Sequence, residues 1–203
     1  MTRTLGVLLY PDFELLDNFG PMEMFGNMQG AVEMTTVASE DGLVKSAQGT
    51  RVQAEHGLDD CPKLDMILVP GGMGTRAAVD DARLVDWLRR RSDDAEFVMT
   101  VCTGSALLAQ TGLLDGKRAT TNKAFFVWPE TTWPAVRWIR AARWVEDGKF
   151  WTSSGVAAGI DMALAVVARI AGPDAAELLA NGTEYEWHRD ADWDPFARIH
   201  NLV

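Results

Sequence analysis

Val98-Met99-Thr100-Val101-Cys102-Thr103-Gly104-Ser105-Ala106-Leu107-Leu108-Ala109, near the middle of the chain, combines a strand pattern with a helix pattern. Phe97 to Val101 is a short apolar run with β-branched residues, the pattern of a strand buried on both faces. Thr103 to Gln110 reads as a helix with Leu107, Leu108 and Ala109 on its inner side. Cys102 falls at the junction. A strand that turns sharply into a helix leaves its corner residue above the sheet in a strained backbone conformation, a nucleophile elbow. The helix behind it points N–H groups and a positive dipole end at the corner, so an exposed thiol with a lowered pKa is expected there. Gly104 and Ser105 are small enough for the chain to turn and a substrate to approach. A buried structural cysteine is the other reading, and a common one for this residue type.

The neighbours on either side repeat the same unit. Leu5 to Tyr10 is a continuous apolar strand, ended by Pro11-Asp12, and a helix follows from near Asp17 or Pro21. Asp17 thus lies beside the C-terminal end of the first strand, the edge at which open α/β sheets bind ligands. It could equally cap that helix. Val32 to Ser39 reads as a second strand and Leu43 to Val52 as a polar hairpin. Asp65 to Val69 is a buried strand running into Pro70-Gly71-Gly72-Met73-Gly74. That turn lacks the spacing of a dinucleotide fingerprint and the lysine of a P-loop. A Gly72 N–H facing the Cys102 pocket would be an anion-stabilising donor, and a tight turn without a ligand role fits as well.

Asp81 to Arg91 is an amphipathic helix with Leu84, Val85, Trp87 and Leu88 inward. Trp128, Trp133 and Trp138 suit core or dimer contacts better than a stacking platform. Arg143 to Glu146 and Phe150 to Ser153 form a hairpin across Asp147-Gly148-Lys149. Ser154-Gly155-Val156 opens a buried Ala-rich helix, Ala157 to Ile170, which Gly172-Pro173 stops. Pro173 to His188 is a last helix and the remainder a tail. Strands alternating with helices give one doubly wound domain over residues 1–203, its core about 4–188 and its tail 189–203.

Composition narrows the function. The 203 residues carry a formal net charge of −10, which argues against nucleic acid as a partner. No apolar stretch is long enough to cross a bilayer, and the N-terminus is too short in apolar residues for a secretory signal. With two cysteines, Cys61 and Cys102, there is no disulfide framework and no zinc set, so no metal or other cofactor is expected. The simplest location is the cytoplasm, where thiols stay reduced. His56, His188 and His200 are expected at the surface.

Several stretches together resemble the ThiJ/PfpI family, related to class I glutamine amidotransferases and built as a flavodoxin-like sandwich. They are Leu16 to Pro21, Val69 to Gly72, Val101 to Ser105, Gly112 to Thr121 and Ser154 to Asp161, in family order. Asp17 combined with Cys102-Thr103-Gly104 is most similar to the isonitrile hydratase branch. That resemblance implies a hydratase acting on a small-molecule electrophile. Cys102 would attack the terminal isonitrile carbon as thiolate. Asp17 would protonate that carbon and then help water release an N-substituted formamide. Thr103, Gly71 and Gly72 would line one side of the site, and Gly155 and Val156 the other. Asp17 beside a thiolate should have a raised pKa, because like charges disfavour each other. The family also implies a homodimer.

One departure stands out: relatives usually have His-Trp after the Ala-Thr-Thr segment, where this chain has Asn122-Lys123. No His follows Cys102, which speaks against a protease. The same pattern occurs in sensing domains of transcriptional regulators, which need a helix-turn-helix that is not expected here. The alternatives are a redox-responsive thiol protein, for which an accessible low-pKa thiol suffices, and glyoxalase or deglycase activity on small aldehydes.

Overall fold

The structure, a computed structural model, describes residues 2–203. In chain order the elements are β1 (Arg3–Leu8), α1 (Leu15–Gly26), β2 (Val32–Val37), β3 (Gly42–Lys45), β4 (Arg51–Ala54) and β5 (Met66–Val69). There follow α2 (Thr75–Ala78), α3 (Ala82–Asp94), β6 (Phe97–Thr100), α4 (Gly104–Gln110), β7 (Arg118–Ala119), α5 (Val127–Thr132) and β8 (Arg137–Trp138). The chain closes with β9 (Trp144–Asp147), β10 (Phe150–Ser153), α6 (Ala158–Ala171), α7 (Pro173–Gly182) and α8 (Pro195–Ile199).

Six strands form the central sheet in the order β2-β1-β5-β6-β10-β9, parallel except for the edge strand β9. The central strands are apolar at nearly every position because both faces are covered. Alternate side chains go to opposite layers. Ile67, Val69 and Val98 pack with Leu84, Leu88, Leu107 and Leu108 from α3 and α4. Met66, Leu68 and Met99 pack with Phe25 of α1, Met162 and Val166 of α6, and Ala176 of α7. This is the flavodoxin-like α/β arrangement that the alternation of strands and helices predicts.

Two boundaries differ from expectation. The helix from Pro173, expected to run to His188, ends at Gly182, where Thr183 turns its hydroxyl back onto Leu179 and Ala180 carbonyls. The tail is not a plain extension either. It carries α8, whose Asp194 caps the Phe196 N–H, and it packs Ala197 fully out of solvent. The Ala191 carbonyl accepts from Arg143 N at 2.7 Å, which ties the tail to the start of the edge strand β9. Asp17 is also not a cap: Glu14 stands at that position, and Asp17 lies in the first turn of α1.

Candidate active site

The chain turns at Cys102 with φ +57°, a left-handed conformation that a side-chain-bearing residue adopts only when its surroundings impose it. Those surroundings are hydrogen bonds on both sides of the backbone. The Cys102 N–H donates to Ser154 O at 3.0 Å, and its carbonyl accepts from Thr121 Oγ1 at 3.0 Å and Ser105 Oγ at 3.1 Å. Glycines are required where the β5 turn meets the elbow. A Cβ on Gly71 would stand 2.5 Å from Thr103 N and 2.9 Å from Cys102 Cβ, and one on Gly104 would stand 2.4 Å from Val69 O.

Asp17 reaches this corner from α1 with no solvent exposure. Its Oδ2 accepts from the Gly71 N–H at 2.8 Å. Its Oδ1 is buried with no partner of normal hydrogen-bond geometry, and the Cys102 thiol lies close enough to influence its titration. Burial pushes the carboxyl up to about 8, against the Gly71 N–H that favours the ionised form. The acid is therefore protonated near neutral pH, in the direction anticipated, although desolvation rather than a neighbouring thiolate is the main cause.

The thiol itself corrects the sequence reading. Cys102 is 5% exposed rather than open, and burial followed by the nearby Asp17 pushes it up to about 12. Thr103 and Asn122 act the other way by hydrogen bonding, and do not overcome the loss of solvent. The resting pair is a thiol beside a carboxylic acid. Of the two roles open to the Gly72 N–H, the structure shows the bracing one. This N–H donates to Thr103 Oγ1 at 3.2 Å, so it braces that side chain instead of waiting for an anion. Thr103 Oγ1 meets Thr75 Oγ1 at 2.9 Å, and Tyr10 OH meets the same Thr75 hydroxyl at 3.1 Å.

Asn122 is the site residue that sequence reasoning passed over, although its position had been marked as a departure. Its Nδ2 donates to Cys102 Sγ at 3.2 Å, while Oδ1 accepts from the Ala124 N–H at 2.8 Å and fixes the amide's orientation. Gly155 makes room for it, since a Cβ there would lie 2.5 Å from Nδ2. Beyond Asn122 and Gly155 lies a cavity of about 290 Å³, bounded by Val156 and, from the tail, Phe196 and His200. The structure thus gathers Cys102, Asp17, Thr103, Gly71 and Gly72 at the elbow, with Gly155 and Val156 on the far side of Asn122. His188 is only half-buried, stacked 5.0 Å from Trp193, and His56 lies against Asp60. Among the described residues no cluster of His, Cys, Asp and Glu could hold a metal ion.

An α/β sheet with a cysteine at a strained strand-to-helix corner, and a buried carboxyl beside it, defines the class. The DJ-1/PfpI family pattern matches residues 3–169, and the chain belongs to that family. It is 36% identical over 186 residues to the isonitrile hydratase of Pseudomonas putida, covering 91% of this chain and 79% of that one. It is 29% identical over 180 residues to the HTH-type transcriptional regulator CdhR of Pseudomonas aeruginosa; this spans 87% of the chain but 53% of the regulator. Among solved structures, a ThiJ/PfpI family protein from Pseudomonas syringae matches with a TM-score of 0.85 at 31% identity, over 92% of this chain and 76% of that one. Drosophila melanogaster DJ-1beta shares the fold with a TM-score of 0.81 at 20% identity, over 92% and 100% of the two chains.

Proposed function

We propose that the protein is a cysteine-dependent hydratase that converts isonitriles to N-substituted formamides. The observation that carries this reading is the protonated Asp17 carboxyl, buried beside the Cys102 thiol with one oxygen uncommitted. An isonitrile offers a basic terminal carbon that becomes electrophilic once protonated. Asp17 gives its proton to that carbon, the Cys102 sulfur adds to it, and the thiol proton returns to the Asp17 carboxylate. A C–H and a C–S bond form, an S–H bond breaks, and the product is a thioimidate. Water then adds to the same carbon, with Asp17 relaying a proton to the nitrogen. Collapse of the adduct breaks the C–S bond, returns the proton to sulfur and releases the formamide, so one water is consumed per turnover.

This sequence needs no standing thiolate, so a thiol raised to about 12 is compatible with it. The Asn122 amide and Thr103 stabilise negative charge as it develops on sulfur. A redox sensor would need a thiol with substantial thiolate character, and burial has removed that. Aldehyde chemistry of the glyoxalase or deglycase kind would use the same thiol and is separated by substrate. The same reading takes the chain as one domain over residues 1–203, cytoplasmic and homodimeric, the last testable by sedimentation.

The test is an assay with a simple alkyl or aryl isonitrile, following formamide. Turnover is expected to vanish in Cys102→Ser and to fall by at least about a hundredfold in Asp17→Asn, the usual size of a lost acid–base group. Absence of formamide with the folded native chain overturns the proposal.

A further inference from the structure

The cavity beyond Asn122 has a charge pattern that the reaction itself does not require. Acids outnumber Lys and Arg by 29 to 19 in this chain, yet the ionisable residues lining this cavity are Lys123, Arg143 and His200, all bases. The rest of its wall is largely apolar, with Ala124, Val156 and Phe196. The acids that balance the bases stand behind them, outside the lining. Asp161 is fully buried and takes Arg143 Nε at 2.7 Å and Nη2 at 2.6 Å, leaving Nη1 uncommitted. Lys123 is 3% exposed, and its ammonium donates to Thr120 Oγ1 at 2.7 Å, Ala142 O at 2.6 Å and Thr121 O at 3.4 Å and lies 5.4 Å from the centre of the Phe126 ring, with no carboxylate among these neighbours. Asp194 acts on it through space, without a hydrogen bond. A buried ammonium without a carboxylate in its hydrogen-bonding shell is short of counter-charge. Burial accordingly lowers its pKa to about 8, which still leaves it mainly protonated at neutral pH.

We propose that this cavity takes the side group of the electrophile, and that it selects a short apolar arm ending in a carboxylate. The proposal rests on the reading of Cys102 as nucleophile. Asn122 places the two sites in line, because one amide touches Cys102 Sγ and also lines the cavity. The reacting carbon sits at sulfur, the arm passes Gly155, and its methylenes lie against Val156 and Phe196. The carboxylate ends among the three bases. The volume, about 290 Å³, is at the small end for small-molecule sites and suits an arm of a few carbons.

The experiment compares two isonitriles of equal length, one ending in a carboxylate and the other in an isopropyl group. The carboxylate substrate is expected to have a kcat/KM at least about tenfold higher at low salt, the ratio one charge-assisted hydrogen bond supplies. His200→Gln and Lys123→Met should each narrow that ratio, and Phe196→Trp, which fills the cavity, should lower kcat/KM for both. Equal or better turnover of the isopropyl substrate overturns the proposal. A second measurement separates it from the hydratase reading. Direct binding of pentanoate and of pentanamide at low salt is compared by calorimetry. If neither isonitrile is turned over, the hydratase reading falls, and tighter binding of pentanoate, weakened in His200→Gln, still upholds the carboxylate site. Equal binding of the two, or none, overturns it.

Discussion

Asp17 shows how far a single residue's environment can move its chemistry. A carboxyl held near 8 by burial acts as an acid below that pH and loses its proton above it. The expected kcat/KM for an isonitrile is therefore flat below about pH 7 and falls as pH rises through about 8, and the residual activity of Asp17→Asn should lack that fall. The same shift has a stability consequence. Asp17 is ionised in the unfolded chain above about pH 4 and protonated in the fold up to about 8, so the folded state binds the extra proton between them and its stability falls as pH rises across that window. Asp17→Asn removes this cost. Its thermal stability should exceed that of the native protein by a margin that grows from pH 4 to 8 and then levels off, reaching on the order of a few kcal/mol. A margin independent of pH, measured by calorimetry across that range, would mean that the carboxyl does not change its proton affinity on folding. Asn122 was legible as an unusual residue but not as a partner of sulfur, because the hydrogen bond spans 20 positions.

At the scale of elements, the elbow depends on how closely β5 and β6 bring their C-terminal turns together. Their register pairs Val69 with Thr100, which sets Gly71 directly against Cys102 and Thr103. Gly71→Ala puts a methyl 2.5 Å from a backbone nitrogen that has no free rotation to yield. We expect a folded protein destabilised by roughly 1–3 kcal/mol, the usual range for overpacking. Its activity should drop by about a hundredfold, since the elbow shifts relative to Asp17; native-like turnover would show that the turn tolerates displacement. The strands, the amphipathic helix α3 and the buried helix α6 were readable from apolar runs and helical period, as was the β9–β10 hairpin from Asp147-Gly148-Lys149. The end of the last helix was not: nothing in residues 183–188 breaks a helix as proline does, and the Tyr185, Trp187 and His188 contacts to Asp161 compete with it only in the folded chain.

At the scale of the whole molecule, the C-terminal segment joins the site to the edge of the sheet. The family pattern stops at residue 169, yet Phe196 and His200 bound the cavity, and Ala191 O serves the Arg143 and Trp144 N–H groups. Removing residues 190–203 opens the cavity, exposes the start of β9 and uncovers part of Arg143. A loss of roughly 2–3 kcal/mol lowers Tm by about 5–10 °C in a chain of this size. Activity on carboxylate isonitriles should fall more than on neutral ones, since His200 is lost with the segment. An unchanged Tm would show that the segment is only loosely held. Among the described residues no helix is long and apolar enough to cross a membrane.

The parallel sheet, the elbow at Cys102 and the position of Asp17 beside the C-terminal end of β1 were legible in the sequence alone. These follow from short-range periodicity and from turn residues, which act within a few positions of themselves. Tertiary structure decided the protonation of the pair, the role of Asn122, the engagement of Gly72 by Thr103 and the basic wall behind the site. Each of these depends on how completely water is excluded, and by which distant segments. A thiol at a helix start reads as acidic when it is thought of in solvent; here α1, the Gly71 turn and Asn122 close over it, and desolvation outweighs the hydrogen bonds that favour the charge.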